Sequence, residues 1–365
     1  MYLALYRKFR PAEFDGLIGQ EHITRTLRNQ IERGQIGHAY LFCGSRGTGK
    51  TSTAKIFARA INCEHPVSGS PCGKCPTCVG LKSSSNIDIV EIDAASNNGV
   101  DEIRDLREKI KYAPSVGKYK VYIIDEVHML TTGAFNALLK TLEEPPSHAV
   151  FILATTEVHK LPATILSRVM RFDFKLISTN EIANHLSKVF DESGFIYEPS
   201  AVKLIASAGE GSVRDALSIA DMCASFCDNN ITYQGVVDVL GMNGRDVILS
   251  LIRSILNDDI AQFFNEFHSL VSKGKNLTLT TSEITKAFRD MLVIKSCGVD
   301  SELIDWPSDL LPELQKLCDN TSIGRINRCM QAFSRIETEL KYTTNPQLLI
   351  EATAMSLLSD EVKKN

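Results

Sequence analysis

No stretch of the 365 residues approaches the roughly 18 uncharged apolar positions that a membrane-spanning helix requires. No membrane span is therefore expected. The opening MYLALYRKFRP has no apolar core of the kind a secretory signal needs, which points to a cytoplasmic protein. Internal repeats and low-complexity segments are absent, so a solenoid is not expected. Surplus positive charge is also missing. With 40 Lys and Arg against 44 Asp and Glu, the net charge is −4, and a generally basic surface for nucleic acid is excluded. Any DNA contact must come from local patches. The ten cysteines do not describe a disulfide scaffold, which belongs to small secreted chains. Six of them, Cys43, Cys223, Cys227, Cys297, Cys318 and Cys329, lie scattered on apolar stretches and are expected to be reduced packing residues.

The chain is long enough for two or three domains, and its 44% hydrophobic content suffices for a sizeable core. Residues 1–60 depart from the acidic average, with ten Lys or Arg against four Asp or Glu. Inside that basic segment lies Gly44-Ser45-Arg46-Gly47-Thr48-Gly49-Lys50-Thr51, preceded by the apolar run Ala39–Cys43 and followed by a helix-like segment from Ser52 to Ala60. It fits GxxxxGK[ST] in the strand-to-helix setting this motif needs. Gly44, Gly47, Thr48 and Gly49, with Ser52 at the helix start, supply N–H groups that can curl round phosphate oxygens. Lys50 is expected to reach the β- and γ-phosphates, and the Thr51 hydroxyl to hold Mg²⁺.

A second segment, Lys120-Val121-Tyr122-Ile123-Ile124-Asp125-Glu126, is an apolar strand ending in two carboxylates. A strand buried on both faces delivers such acids at its C-terminal edge, where α/β sheets bind ligands. Asp125 is expected to hold Mg²⁺ and Glu126 to activate water as a general base. Further buried strands are predicted over 87–92, 150–157 and 169–174, and Thr155 at the end of the second of these could orient the water and sense the γ-phosphate. Together these residues point to ATP hydrolysis.

Between the loop helix and the next strand stands Cys63-x8-Cys72-x2-Cys75-x2-Cys78 in a segment rich in Pro, Gly and Ser. The overlapping Cys-x-x-Cys steps let Cys63, Cys72, Cys75 and Cys78 converge on one tetrahedral Zn²⁺; His65 replacing one thiolate is the alternative. Four thiolates leave no open position, so the site should be structural. The helix near 100–111 carries Arg104, Arg107 and Lys111 as a basic stripe, either a solvated face or a nucleic-acid contact. From about Ser178 the β signals stop, and short helices are predicted over 179–190, 199–208, 213–226 and 232–240. Arg214 in the first turn of the third suggests an external anion or an ion pair. Beyond Gly241–Gly244 the pattern is all-helical. Ile326, Met330, Phe333, Glu337 and Leu340 follow near-heptad spacing, and a final helix carries Leu349, Ala352 and Met355; this part is a candidate oligomerisation module.

With these residues assembled, the chain resembles the AAA+ ATPases, and among them the DNA polymerase III gamma/tau family, the motors of bacterial sliding-clamp loaders. The YRKFRP arm, the four-cysteine insertion, DEVHML, LEEPP and GSVRDAL carry the resemblance. It implies an α/β fold, a five-stranded parallel P-loop sheet with helices on both faces (1–177, with the zinc insertion at 63–78), then a helical lid (178–242) and a helical collar (243–365). It further implies that Tyr6, Arg7, Pro11, Ile18 and Gly19 line the base and sugar side of ATP. Arg214 would contact the γ-phosphate from the lid, and Arg168 would act on a neighbouring subunit's ATP. The implied partners are delta and delta-prime subunits and further copies of the chain in a five-membered ring, the beta sliding clamp, and primer–template DNA, with Arg104 and Arg107 raised as backbone contacts. The family usually has Cys where this chain has Val169, which bears on local packing only. Two rival readings remain open: a branch-migration type AAA+ motor and a non-hydrolysing loader subunit. Whether the chain is a short gamma form or part of a longer tau is not decided by its letters.

Overall fold

The computed structural model describes residues 3–82, 86–299, 301, 303, 304, 306, 307 and 309–359. They form two compact units, Met1–Tyr233 and Gln234–Asn365. Among the described residues no helix is long and apolar enough to cross a membrane.

In the first unit, α1 (Leu5–Lys8) and α2 (Glu21–Glu32) precede β1 (Ala39–Cys43), which runs through the glycine-rich loop into α3 (Lys50–Ala60). The cysteine excursion holds α4 (Pro76–Gly80) and is followed by β2 (Ile89–Asp93), α5 (Val100–Ile110), β3 (Lys120–Asp125), α6 (Thr132–Glu143), β4 (Ala149–Thr155), α7 (Ala163–Leu166) and β5 (Met170–Asp173). The five strands are all parallel in the order β2-β3-β4-β1-β5. Helices cover both faces, as successive side chains alternate between them. Leu41, Tyr122, Ile124, Phe151 and Leu153 pack on one face with Ile103 and Leu106 of α5 and Leu138 of α6. Tyr40, Phe42, Val121, Ile123 and Ile152 pack on the other with Ile23 and Leu27 of α2 and Ile56 and Phe57 of α3. Register places Asp93 beside Asp125 and Cys43 beside Thr155, so the ends of β1, β2, β3 and β4 open at one edge. This edge is where the chemistry-bearing residues collect.

Helices α8 (Thr179–Ser193), α9 (Pro199–Ala208) and α10 (Val213–Phe226) follow. Ser178 caps α8 through a complete capping box with Glu181, and Ser212 caps α10 through Asp215 N–H. Contrary to the expectation that strands end near Ser178, Ile196–Tyr197 (β6) and Asn230–Ile231 (β7) pair as a small parallel sheet. Strands of two residues are too short to leave an alternating pattern.

The second unit is helical: α11 (Tyr233–Leu240), α12 (Arg245–Leu256), α13 (Ile260–Ser272), α14 (Leu277–Cys297), α15 (Leu311–Asn320), α16 (Ile323–Glu339) and α17 (Pro346–Ser359). Its core joins Phe263, Phe267, Phe288, Met291 and Phe333. The fully buried positions at α16 are Ile326, Cys329, Phe333, Ile336 and Leu340, with Met330 partly buried against the same core and Glu337 partly buried. That stripe, i, i+3, i+7, i+10, i+14, keeps a heptad-like spacing but passes through Cys329 and Ile336. In α17 the buried positions are Ile350 and Ala354, while Ala352 and Met355 face outward.

Candidate functional site

At the open edge of the sheet lies a cavity of about 800 Å³, within the ordinary size range of ligand pockets. Arg46, Gly47, Thr48, Gly49, Lys50, Thr51 and Ser52 form one wall, Asp125 and Glu126 another. Tyr6, Pro11, Leu17, Ile18, Ile177 and Leu217 supply an apolar wall. Five cations, Arg7, Arg10, Arg46, Lys50 and Arg214, line it against three acids, Asp93, Asp125 and Glu126. An anion is therefore favoured inside.

Lys50 opens α3 and is buried, and its ammonium donates to the carbonyls of Gly44 at 2.7 Å and Ser45 at 2.8 Å. Burial pushes its pKa below the usual lysine range, while the Glu126 and Asp125 carboxylates oppose the shift. The Thr51 hydroxyl donates to Asp125 Oδ2 at 2.7 Å, and Glu126 N–H donates to the other carboxylate oxygen at 3.0 Å. Hard oxygen donors so close together fit a Mg²⁺ ion that keeps part of its water shell. Glu126 sits in the left-handed region at φ 47°, ψ 45°, a conformation that costs energy for a non-glycine residue and turns its side chain at the strand end. Its Oε2 accepts from the Thr156 hydroxyl at 3.0 Å and from Thr156 N–H at 3.3 Å.

Of the residues expected at the nucleotide, Tyr6, Arg7, Pro11, Ile18, Gly47, Thr48, Gly49, Lys50, Thr51, Ser52, Asp125, Glu126 and Arg214 line this cavity. Gly19, Gly44, Thr155 and Arg168 do not line it. Thr155 is fully buried at the end of β4, with its Oγ1 on His128 Nδ1 at 3.0 Å. The Arg214 guanidinium lies over the Tyr6 ring, 5.5 Å from its centroid. Arg168 Nη2 donates to Glu143 Oε1 at 2.9 Å and its Nη1 to Thr164 O at 2.7 Å. On α5, Arg104 pairs with Asp101 and Lys111 with Glu108, each three residues apart on a solvated face.

The four cysteines converge away from the cavity, their sulfurs within 4.8 Å of one another. Cys63–Cys75 and Cys72–Cys78 are both separated by 4.0 Å. Zn–S bonds of about 2.3 Å imply S···S spacings of about 3.8 Å in a tetrahedron, so the set fits zinc and needs only a slight contraction. N–H groups of Cys72, Cys75 and Cys78 point at the sulfurs of Cys63, Cys72 and Cys75. Backbone N–H bonds from Lys74 and Cys75 lower the Cys72 thiol to about 6, while burial pushes Cys78 up to about 12. His65 is not part of the cluster. Among the remaining cysteines, Cys43, Cys223, Cys318 and Cys329 are buried, Cys227 is partly buried and Cys297 is exposed.

Sequence reasoning missed Thr156, His128, Glu157 and Gln20. Gln20 is fully buried and ties Lys175 O, at 2.8 Å, to Thr48 O, at 3.4 Å. Its only local signal was a polar residue beside a helix start.

Three family matches run along the chain in order. The family described as DNA polymerase III, delta subunit matches residues 19–178, the clamp loader subunit ATPase lid domain matches 181–229, and domain III of subunits gamma and tau matches 231–360. The DNA polymerase III subunit gamma of Buchnera aphidicola is 36% identical over 99% of this chain and 98% of its own length. The chain belongs to the DNA polymerase III gamma/tau family. A second gamma/tau relative, the subunit tau of Bacillus subtilis, is 43% identical over 98% of this chain and 63% of its own length, so the chain spans less than two thirds of that protein. The five-stranded parallel sheet, the matched ATPase lid domain and the helical C-terminal region agree with the fold expected of a gamma/tau chain. Among solved structures, the Thermotoga maritima RuvB Holliday junction branch migration motor is 20% identical with a TM-score of 0.49, covering 68% of this chain and 79% of that one. A likeness at that level decides nothing between motors.

Proposed function

We propose that this gamma/tau chain hydrolyses ATP as the motor subunit of a bacterial sliding-clamp loader. The observation that carries the reading is the Thr51–Asp125 contact, 2.7 Å long, at a cavity also lined by Lys50 and Glu126. The N–H groups of the loop from Gly44 to Ser52 hold the phosphates, and Lys50 exchanges the carbonyls of Gly44 and Ser45 for phosphate oxygens. Thr51 and Asp125 hold Mg²⁺, which supplies charge neutralisation at the β- and γ-phosphates. Glu126 accepts a proton from the attacking water, and Thr155 orients that water. Tyr6, Arg7, Pro11 and Ile18, with Gly19 behind them, enclose the base and sugar. Arg214 reaches the γ-phosphate from α10.

Arg168 acts on the ATP of a neighbouring subunit. Its present pair with Glu143 is partly exposed and such pairs are worth about 0–1 kcal/mol, so a phosphate can displace it. An arginine supplied in this way typically contributes about 10³–10⁵ in rate, and hydrolysis therefore waits for assembly. The neighbours are delta and delta-prime subunits and other copies of this chain in a five-subunit ring. With ATP bound, the ring binds and opens the beta clamp; primed DNA enters along Arg104 and Arg107 through salt-sensitive, sequence-independent backbone contacts, and hydrolysis releases the closed clamp on DNA. Zn²⁺ on Cys63, Cys72, Cys75 and Cys78 holds the insertion. The work is cytoplasmic, with the replication machinery.

Glu126→Gln separates binding from chemistry. It should leave ATP affinity within about threefold and reduce turnover by about 10² or more. Turnover unchanged in Glu126→Gln would remove Glu126 as the base and with it this reading of the cavity.

A further inference from the structure

Helix α8 brings one more polar side chain to the cavity, and the proposed hydrolysis gives it no task. His185 lines the pocket beside Leu17 and Ile18, Ile177 before α8, and Val213 and Leu217 of α10. Its place follows from the turn before it. A Cβ built on Gly19 would lie 3.2 Å from Ile177 Cγ1 and 3.6 Å from Glu181 Oε1, so this face of α8 is turned to residues 18 and 19. His185 stands one turn beyond Glu181 on the same face. Its neighbours in the cavity wall are therefore mainly aliphatic.

The ring is half-buried and makes no hydrogen bond with the described residues. Other polar side chains at this wall are engaged: Tyr6 Oη accepts from Arg7 Nε at 3.1 Å, Arg10 Nε donates to Ser52 Oγ at 3.2 Å, and Arg214 lies over the Tyr6 ring. Burial, helped by the charge of Lys188, holds the imidazole below the usual histidine range, and Glu192 opposes the shift without cancelling it. The ring is neutral at pH 7, with one N–H that donates and one bare nitrogen that accepts. Phosphate oxygens only accept, and the lining cations already match them. A purine edge instead carries ring nitrogens that accept and, in adenine, an amino group that donates. A base that fills the cavity displaces the water on this ring, and the ring then needs its partner from the base.

We infer that His185 recognises the base of the bound nucleotide: its ring makes a hydrogen bond to the purine and touches neither the sugar nor the phosphates. The inference rests on the reading of the cavity as an ATP site. It adds to that reading the polar group that holds the base among aliphatic side chains.

The test is equilibrium binding to the full chain in the presence of Mg²⁺, with ATP compared against ribose 5-triphosphate, which keeps the sugar and phosphates but has no base. His185→Leu, close in size and without polar atoms, should weaken ATP binding about tenfold and leave ribose 5-triphosphate binding unchanged. His185→Gln, whose amide both donates and accepts, should recover most of the loss. Equal ATP affinity in His185→Leu and wild type overturns the inference. An equal loss for both ligands also overturns it, because it marks a contact to sugar or phosphate or a displaced α8. A loss for ATP that His185→Gln shares in full overturns it too, because packing alone then explains the effect. Failure of the underlying reading looks different: wild type would then bind neither ligand.

Discussion

Replacing Gly47 by alanine sets the phosphate loop against the helical segment that follows the sheet. Gly47 has φ +75°, and a Cβ built there would lie 1.8 Å from Ser212 Oγ and 3.3 Å from Arg214 Cβ. The backbone conformation alone costs an alanine about 1–2 kcal/mol. The overlap adds a second cost, because Ser212 is buried and its hydroxyl caps α10 by accepting Asp215 N–H at 3.2 Å. Moving it away forfeits a cap worth about 1 kcal/mol. The sum is about 2–3 kcal/mol for Gly47→Ala. Gly34 is the internal control, with φ +65° and nothing within 4 Å of its Cβ position, so Gly34→Ala should cost only the backbone share of about 1–2 kcal/mol. Urea unfolding measures both. ATP titration separates them further: displacing the start of α10 shifts Arg214, and an affinity loss of about tenfold, or roughly 1.4 kcal/mol, is expected for Gly47→Ala and none for Gly34→Ala. Equal stability and equal affinity in the two variants would refute the reasoning.

Metal analysis should find about one zinc per chain, held by the four thiolates; Cys75→Ser should release it and make residues 63–82 protease-sensitive while ATP binding persists. Asp88 is fully buried and accepts from Ser115 N–H and Oγ–H and from the N–H groups of Val116 and Gly117. Burial alone would raise its carboxyl, but these donors outweigh burial and hold it below the usual range. Its stabilisation is therefore complete above the unfolded value of about 3.9 and lost as pH falls through the lower folded value. Asp88→Ala should cost about 2–4 kcal/mol at pH 7, and the gap from wild type should narrow in acid unfolding as pH falls below the usual carboxylate range.

The residues that local chemistry marks were legible in the amino-acid order alone. A GxxxxGK[ST] loop and an apolar strand ending in Asp125-Glu126 need only their own neighbours to be recognised, and the paired Cys-x-x-Cys steps likewise announce a tetrahedral donor set. What stayed hidden depends on contacts between distant segments. Thr156 meets Glu126 only because β3 and β4 are adjacent in the sheet, and His128 meets Glu157 for the same reason. Ser212 against Gly47 joins segments 165 positions apart in the sequence numbering. The strand order, with β1 between β4 and β5, is set by crossovers that periodicity cannot see. In α16, Ile326, Phe333 and Leu340 fit two heptad seams, one through Met330 and Glu337 and one through Cys329 and Ile336, and only packing shows that the second is the fully buried one.

The most direct test of the clamp-loading account is steady-state ATP hydrolysis by the full chain, alone and mixed with delta and delta-prime subunits, the clamp and primed DNA, each with Arg168→Ala alongside. The account predicts slow turnover by the chain alone, a rise when partners and primed DNA are added, and collapse of that rise in Arg168→Ala. Fast hydrolysis by the isolated chain, indifferent to clamp, primer and Arg168, would contradict it.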